Sequence, residues 1–324
     1  MRYRNGSGLV ALAIGLVVAF PAVAQNYPGS NINFIVPYPP GGGTDIPARI
    51  VVDKLMEQTG WNVVVLNQPG AGGTIGLDQL ARSNPDGLTI GMAQTSNLAV
   101  NPALNPEVNY DPLTDFTLLG LVTTQPMGIV THNGSPFETF QDFIDEVREN
   151  PGSVLFGTPG TGTVAHMSIE RLAVQGDLEL EHVPYTGIAQ AISDVMAGVV
   201  DIYIGSVPSV LPHVTSGSLR ALAVTSAQPD PLLPDVPTVA SFGFEGYESS
   251  DWKALVGPAG MPEDVLASLN AAIAAAMSDP ELRSLLEAQG STVLSGDPEE
   301  FAAFLPSEVQ TWAEVVDAID IQID

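Results

Sequence analysis

Short apolar runs alternate with helical patterns along most of the chain. The runs 33–37 (NFIVP), 62–66 (NVVVL) and 88–92 (LTIGM) have the length and the β-branched residues of buried strands. Between them, 46–58 and 75–83 have the apolar spacing of helices. Strands that alternate with helices in this way predict βαβ units and a parallel sheet.

The same alternation resumes in the middle of the chain after a stretch rich in Pro, Asn and Asp. That stretch, 101–115, is predicted to be a loop, and two strands are predicted after it, at 116–123 and 127–131. A second α/β series follows. Its predicted helices are 137–149, 164–175 and 188–198, and its predicted strands are 154–156, 180–184, 201–204 and 219–225.

The C-terminal part of the sequence returns to strand and then becomes helical. Residues 228–237 are rich in proline and predict a loop, and 252–256 predict one more strand. Three helices are expected to begin near Pro262, Ser278 and Asp297, where capping residues and prolines cluster. Because strand material follows the proline-rich loop, this layout favours two α/β lobes that are connected more than once.

The first 24 residues have the pattern of a secretory signal peptide. Arg2 and Arg4 form a basic region, 9–20 form an apolar region, and 22–24 (AVA) form a small-x-small cleavage site. A membrane anchor is the alternative, but the apolar run is short for a bilayer of about 30 Å and Pro21 interrupts it. We therefore expect export with cleavage after Ala24, and no later stretch approaches 18 uninterrupted apolar residues.

Composition narrows the classes of function further. A length of 324 residues suggests two domains, and 45% hydrophobic residues are enough for a sizeable core. The net charge is −27, and loss of Arg2 and Arg4 with the signal peptide makes it 8 − 37 = −29. This charge argues against a nucleic-acid partner. The absence of cysteine excludes disulfides, thiol nucleophiles and cysteine-ligated metals.

Three segments share the order strand, Gly- and Thr-rich loop, helix. They are 36–45, 67–74 and 156–163, here called the first, second and third loops. A Gly-rich turn lets the backbone approach a ligand, and a helix N-terminus offers free N–H groups, so such a loop binds anions without Lys or Arg. Alternatively the Gly and Thr residues only turn the chain and cap helices. All three loops follow candidate parallel strands, which favours a ligand site.

Residue patterns for catalysis, metals and nucleotides are scarce. Residues 160–165 (GTGTVA) match a dinucleotide-binding spacing, but they lie mid-chain in a protein expected to be exported. The histidines His132, His166, His182 and His213 have no metal-ligand spacing, so no metal or cofactor is expected. His166 follows the third loop and is as consistent with packing or capping as with ligand binding. Asp45, just before a helix, is by default an N-cap.

At these loops the chain resembles the Bug family, the TctC-like periplasmic receptors of tripartite tricarboxylate transporters. The resemblance covers essentially the whole mature chain. Its motifs, in the order of the family, are 34–45 (FIVPYPPGGGTD), 68–76 (QPGAGGTIG), 85–89 (PDGLT), 157–163 (GTPGTGT), 182–185 (HVPY), 219–226 (LRALAVTS), 233–239 (LPDVPTV) and 257–260 (GPAG).

The resemblance implies a two-lobed periplasmic-binding fold of type II, with a ligand cleft between the lobes. It places the lobe crossings near Gln125 and Ser249, so that 26–124 plus 250–324 form one lobe and 125–249 the other. It also implies a monomeric periplasmic receptor, not an enzyme, that passes a small carboxylate to a permease with large and small integral subunits. Alternatives are a receptor for a membrane signalling protein and an exported enzyme acting on a carboxylic acid.

The resemblance also implies which residues hold the ligand. Family members bind the proximal carboxylate with main-chain N–H groups, hydroxyls and waters of the first and third loops. The residues expected at the site are Tyr38, Gly42, Gly43, Thr44, Asp45, Thr95, Ser96, Thr158, Gly160, Thr161, Gly162, Thr163, His166, Tyr185 and Trp252.

Two departures from the family pattern bear on the ligand. Thr186 stands where many relatives have Lys or Arg, and Asp251 stands in a motif that is often Ser-Ser-Trp. An added acid and a missing base disfavour a tricarboxylate such as citrate. We expect a mono- or dicarboxylate, with an apolar or aromatic body packed against Tyr38 and Trp252.

Overall fold

A computed structural model describes residues 27–185 and 187–319. The predicted signal peptide and Thr186 lie outside the described residues. The N-terminal elements follow the predicted alternation. They are β1 (Ile32–Val36), α1 (Asp45–Thr59), β2 (Val63–Asn67), α2 (Thr74–Ala81) and β3 (Thr89–Gln94). The predicted loop from 101 is partly helical, because a π-helical turn at Ser96–Val100 continues into α3 (Asn101–Leu104) before β4 (Phe116–His132).

The second α/β series also follows the prediction, with one added helix. Its elements are α4 (Phe140–Glu149), β5 (Leu155–Thr158), α5 (Val164–Gly176), β6 (Glu181–Pro184), α6 (Ile188–Met196), β7 (Ile202–Ser206), α7 (Val207–Thr215) and β8 (Leu219–Val224). We did not predict α7, which contains Pro208 and Pro212. Pro208 lies in the first turn, where the missing N–H costs no intrahelical bond.

The C-terminal elements are β9 (Ser250–Pro258), α8 (Glu263–Met277), α9 (Pro280–Glu287), β10 (Thr292–Val293) and α10 (Pro298–Ala318). Both α9 and α10 begin as predicted, with Asp279 and Asp297 accepting hydrogen bonds from first-turn N–H groups. Among the described residues, no helix combines the length and the apolar character that a membrane span requires.

The strands form two parallel groups joined by antiparallel strands. β1 pairs in parallel with β2 and β3, and β5 pairs in parallel with β6 and β7. Between the groups, β9 and β4 run antiparallel to each other and to their neighbours β3 and β7. The prediction of a parallel sheet is therefore correct within each group and wrong at the junction. There, β4 and β9 cross between the groups in opposite directions.

The strand β4 links the two groups directly. Its first part pairs with β9 and β10, and its second part, from Met127, pairs with β7 and β8. Our prediction of two separate strands was wrong, because one continuous strand covers both. Pro126 lies where β4 changes partners, a position that tolerates the missing N–H.

Each strand group packs against its own helices. Phe34, Val51 and Ile273 belong to one hydrophobic cluster of the first group, which includes residues of α1 and α8. Phe140 and Phe156 belong to a separate cluster beneath the second group. The predicted α/β class is thus confirmed, and the carboxyl ends of β3 and β7 meet at the junction between the cores.

Candidate functional site

A cavity of about 210 Å³ lies at this junction. Such a crevice at the carboxyl ends of strands is the usual ligand position in open α/β sheets. Four cavities of about 300–320 Å³ are larger, but none is lined by residues of both the first and the third loop. The lining residues of the junction cavity are Gly43, Gln94, Ser96, Gln125, Met127, Pro159, Thr163, Val164, Ala165, Ile188, Tyr203, Gly205, Ser206 and Asp251.

Asp45 shapes the first loop from inside. Its Oδ2 accepts hydrogen bonds from the Gly41 N–H and the Arg49 Nε–H, both at 2.8 Å, and its Oδ1 accepts one from Asn67 Nδ2, also at 2.8 Å. Burial alone would raise the pKa of Asp45, but these hydrogen bonds outweigh it and lower the pKa. The N-cap position is Thr44, not Asp45 as predicted. The Asp45 carboxylate is therefore fully engaged within its own lobe.

Two hydroxyls of the first loop are also engaged within the protein. Thr44 donates to the Oε1 of Gln94, and both side chains are buried. The Tyr38 hydroxyl donates to the carbonyl of Gly72 at 2.8 Å, which ties the first loop to the second. Neither Tyr38 nor Thr44 lines the cavity, whereas Gly43 does.

Thr95 and Trp252 hold β9 against β3 rather than facing the cavity. The Thr95 hydroxyl donates to the carbonyl of Ser250 at 3.1 Å and accepts from the Trp252 N–H at 2.9 Å. The Trp252 side chain is only 1% exposed, and its indole N–H donates to Glu308 at 2.8 Å. The expectation that a ligand packs against Trp252 is not supported, because the indole fills the core of the first group. Ser96, next to Thr95, does line the cavity.

The third loop is closed by hydrogen bonds among its own residues. Thr163 caps α5, since its hydroxyl accepts from the His166 N–H at 3.3 Å and donates to the Gly160 carbonyl at 2.8 Å. The Gly162 N–H donates to the Nδ1 of His166 at 3.1 Å. His166 is therefore a buried residue that stabilises the loop, and although it was expected at the ligand site it does not line the cavity. Thr161 is exposed and does not line the cavity.

Two stacked imidazoles support the third loop from behind. The rings of His166 and His182 are 3.8 Å apart, and His182 also stacks on Phe156 at 4.8 Å. The Nε2 of His182 is hydrogen-bonded to the hydroxyl of Thr158 at 2.7 Å. Burial, with a smaller effect of neighbouring His166, lowers the pKa of His182 to about 3. His182 is thus neutral at physiological pH.

This neutral state predicts a pH dependence of folding. The unfolded chain takes up a proton at His182 below about pH 6.5, whereas the folded protein does not until about pH 3, so stability falls as pH falls through this window. The variant His182→Gln, which keeps a partner for Thr158, should lose stability less steeply than the wild type between pH 7 and 5. Urea unfolding at both pH values measures the difference, and equal slopes would contradict it.

The N-terminus of α5 provides free donors at the cavity. Val164 and Ala165, its first two residues, line the cavity, and their N–H groups have no acceptor among the described residues. The first N–H groups of a helix lack intrahelical partners and carry partial positive charge. A ligand oxygen in the cavity can accept both hydrogen bonds.

Two lining residues of the cavity have a buried oxygen atom without a partner. The Tyr203 side chain is fully buried, and its hydroxyl has no hydrogen-bond partner among the described residues. Burial raises the pKa of Tyr203 to about 12, so the phenol remains protonated. The Oδ1 of Asp251 is also buried and without a partner.

Asp251 is neutralised by a buried lysine. The Nζ of Lys253 lies 3.1 Å from the Oδ2 of Asp251 and 3.5 Å from the Oε1 of Gln125, and Lys253 is only 1% exposed. The sequence interpretation counted Asp251 as an uncompensated acid and a base as missing. The acid is not uncompensated, because alternate residues of β9 bring Lys253 next to Asp251, whereas the missing base at Thr186 lies outside the described residues.

Sequence reasoning located three of the residues that line the cavity and missed others. Gly43, Ser96 and Thr163 were predicted, whereas Tyr185 contacts Asp194 instead, with its hydroxyl 2.9 Å from the Oδ2. The lining residues missed from the site were Gln94, Gln125, Met127, Pro159, Val164, Ala165, Ile188, Tyr203, Gly205, Ser206 and Asp251. Residues 203–206 could have been found, because they lie at the carboxyl end of the predicted strand 201–204. Ligands bind at the carboxyl ends of strands in open α/β sheets, which is the rule that selected the three loops.

The lining of the cavity offers hydrogen bonds rather than ion pairs to an anion. Among its lining residues, Asp251 and Tyr203 are the titratable side chains, and none is Lys, Arg or His. Over residues 27–185 and 187–319, no three His, Asp or Glu side chains cluster as metal ligands.

Comparison with known proteins identifies the class. The family model of the "Tripartite tricarboxylate transporter family receptor", TctC, matches residues 47–321. The chain is 35% identical to protein BugT of Bordetella pertussis over 300 residues, which are 92% of each chain. This chain belongs to the TctC family of solute-binding receptors, which are not enzymes. The resemblance seen in the sequence is confirmed.

Two solved structures show the same two-lobed periplasmic-binding fold. MatC of Rhodopseudomonas palustris with bound malate is 28% identical, with a TM-score of 0.76, and the match covers 90% of this chain and all of MatC. Rpa4515 of R. palustris with adipate is 29% identical, with a TM-score of 0.78, and the match covers 90% and 98% of the two chains. The predicted fold class is confirmed.

Proposed function

We propose that this receptor captures a small organic carboxylate in the junction cavity. The observation that carries the proposal is the pair of free N–H groups of Val164 and Ala165 at the N-terminus of α5. A hydrogen bond to a charged acceptor contributes about 1.5–3 kcal/mol. Several such bonds, from α5 and from residues such as Gly43, Ser96 and Thr163, suffice for a micromolar site of about −8 kcal/mol after ordering costs.

The two strand groups are proposed to act as lobes that close on the ligand. The proposed boundaries, 124/125 and 249/250, agree with the pairing of β4, which changes partners at Pro126 and Met127. The hydrophobic clusters of the two groups are separate except for Met167, which packs against the cluster of the first group. Closure around ligands is typical of two-lobed receptors.

The ligand is proposed to be a mono- or dicarboxylate. No cationic side chain lines the cavity, so three carboxylates would not find matching charges. The related structures with malate and adipate contain dicarboxylic acids. An aromatic body has less support than we expected, because Trp252 is buried in the core.

The proposed setting is the periplasm, with delivery to a membrane permease. The family to which the chain belongs consists of receptors of tripartite transporters. Cleavage after Ala24 remains a proposal that rests on the sequence of the first 24 residues. The expected intact mass begins at Gln25, and a mass that includes Met1 would contradict it.

Small acids should stabilise the purified protein, and their amides should not. Saturating carboxylate at about 100 times its Kd adds about 2.7 kcal/mol of stability, which is several degrees of Tm. A neutral amide presents an NH₂ group and a weaker acceptor to the N–H groups of α5. Thermal unfolding with succinate and butyrate, beside succinamide and butyramide, measures this. Equal stabilisation by acids and amides would contradict the proposed carboxylate site.

A further inference from the structure

We infer that the receptor selects acids that carry a hydroxyl group, and that Asp251 recognises this hydroxyl. The inference rests on the proposed carboxylate site and adds a second contact, from another residue that lines the same cavity. Asp251 lies on β9 directly across from Gln125 of β4, so it is placed where the two strand groups join.

The two unpartnered atoms of the lining residues require different partners. The protonated Tyr203 hydroxyl donates a hydrogen bond, whereas the Oδ1 of an ionised Asp251 only accepts. A buried acceptor without a donor is costly, so a ligand that brings a donor gains more than one that does not. A bare hydrocarbon acid leaves Asp251 without a partner in the closed cavity.

The charges around Asp251 favour a neutral donor. The ammonium of Lys253 lies 3.1 Å from its Oδ2 and also donates to Gln125, the cross-strand partner of Asp251. The pair formed by Asp251 and Lys253 has no net charge. A ligand ammonium would be repelled by Lys253, and a second carboxylate would be repelled by Asp251. A hydroxyl donates to Oδ1 without either repulsion.

The size of the cavity limits where this hydroxyl lies in the ligand. Val164, Ala165 and Asp251 all line the same cavity of about 210 Å³. A carboxylate bound at Val164 and Ala165 therefore has its hydroxyl only a few bonds away when it contacts Asp251. Four-carbon acids with a hydroxyl on different carbons sample this range of distances.

Titration calorimetry with one four-carbon series tests the inference. The probes are butyrate, its 2-, 3- and 4-hydroxy derivatives, 2-oxobutyrate, 2-aminobutyrate and succinate. In the wild type, at least one hydroxybutyrate should bind about tenfold or more tightly than butyrate. It should also bind more tightly than the 2-oxo and 2-amino acids, since the first offers no donor and the second adds a cation.

Substitution of Asp251 distinguishes recognition from a general effect on the fold. In Asp251→Ala, the ratio of the Kd of butyrate to that of the best hydroxybutyrate should fall below about three. In Asp251→Asn, whose amide can donate, 2-oxobutyrate should gain relative to the hydroxy acid. Asp235→Ala makes the same chemical change at an exposed position outside the cavity and should leave the ratio unchanged.

The outcomes separate this inference from the proposed function. If butyrate binds as tightly as all three hydroxybutyrates, or if the preference persists in Asp251→Ala, the role of Asp251 is wrong while the carboxylate site stands. If the 2-amino acid binds tightest, the neutral-donor argument is wrong. Binding by none of these acids would contradict the carboxylate site, and the inference with it.

Discussion

Replacing Val164 with proline should raise the Kd for a carboxylate by about tenfold or more. Val164 is the first residue of α5 and lines the cavity. Proline at this position removes one N–H donor and still fits a helix, and the preceding Thr163 already has the extended backbone that proline prefers, with ψ at 156°. One hydrogen bond to a charged acceptor is worth about 1.5–3 kcal/mol, which corresponds to at least a tenfold change in Kd.

The variant Val164→Ala is the matched control. It removes more of the buried side chain than the proline variant does but keeps the N–H group, so its Kd should stay within about threefold of the wild type. Calorimetry with the same acid measures both variants, and thermal unfolding without ligand shows whether each is folded. If the alanine variant loses as much affinity as the proline variant, the N–H group is not the contact.

Gly120→Ala should destabilise the protein by about 3 kcal/mol or more. Gly120 lies at an irregularity of β4 with φ at +143°, and a Cβ there would lie 2.5 Å from the carbonyl carbon of Gly296 and closer still to its oxygen. Overpacking costs about 1–3 kcal/mol and an unfavourable φ adds about as much. The neighbour is backbone, which has no alternative rotamer.

Gly217→Ala isolates the contribution of backbone strain. Gly217 also has a positive φ, +73°, but nothing lies within 4 Å of a Cβ added there. We expect a loss of about 1–2 kcal/mol for this variant, from strain alone. Urea unfolding gives both values, and equal losses would contradict the proposed clash with Gly296.

The order of strands and helices was predictable because each element carries its own pattern. The run 33–37 and the helix from 46 were located within one or two residues, since apolar periodicity and glycine punctuation are local properties. The antiparallel junction was not, because pairing of β4 with β9 joins residues more than 120 positions apart. The helix α7 was missed for a related reason. The sequence alone did not show that Pro208 lies in the first turn of a helix, where proline is tolerated.

The candidate site was only partly predictable because loop residues divide into those that face the ligand and those that support the loop. Threonine at 44, 158 and 163 suits either role, and the observed hydrogen bonds of all three hydroxyls lie within the protein. The pairing of Asp251 with Lys253 follows from the side-chain alternation of β9. The position of Tyr203 in the lining could be seen only with the sheet order, which places β7 beside β4.

A crystal structure of the receptor with the acid of highest affinity tests the central claim most directly. We expect one carboxylate in the junction cavity, with an oxygen atom within about 3 Å of the N–H groups of Val164 and Ala165. The two strand groups should be closer together than in the unliganded protein. The account would be contradicted if the acid were bound elsewhere, for example in the cavity beside Arg283, and the junction cavity held only solvent.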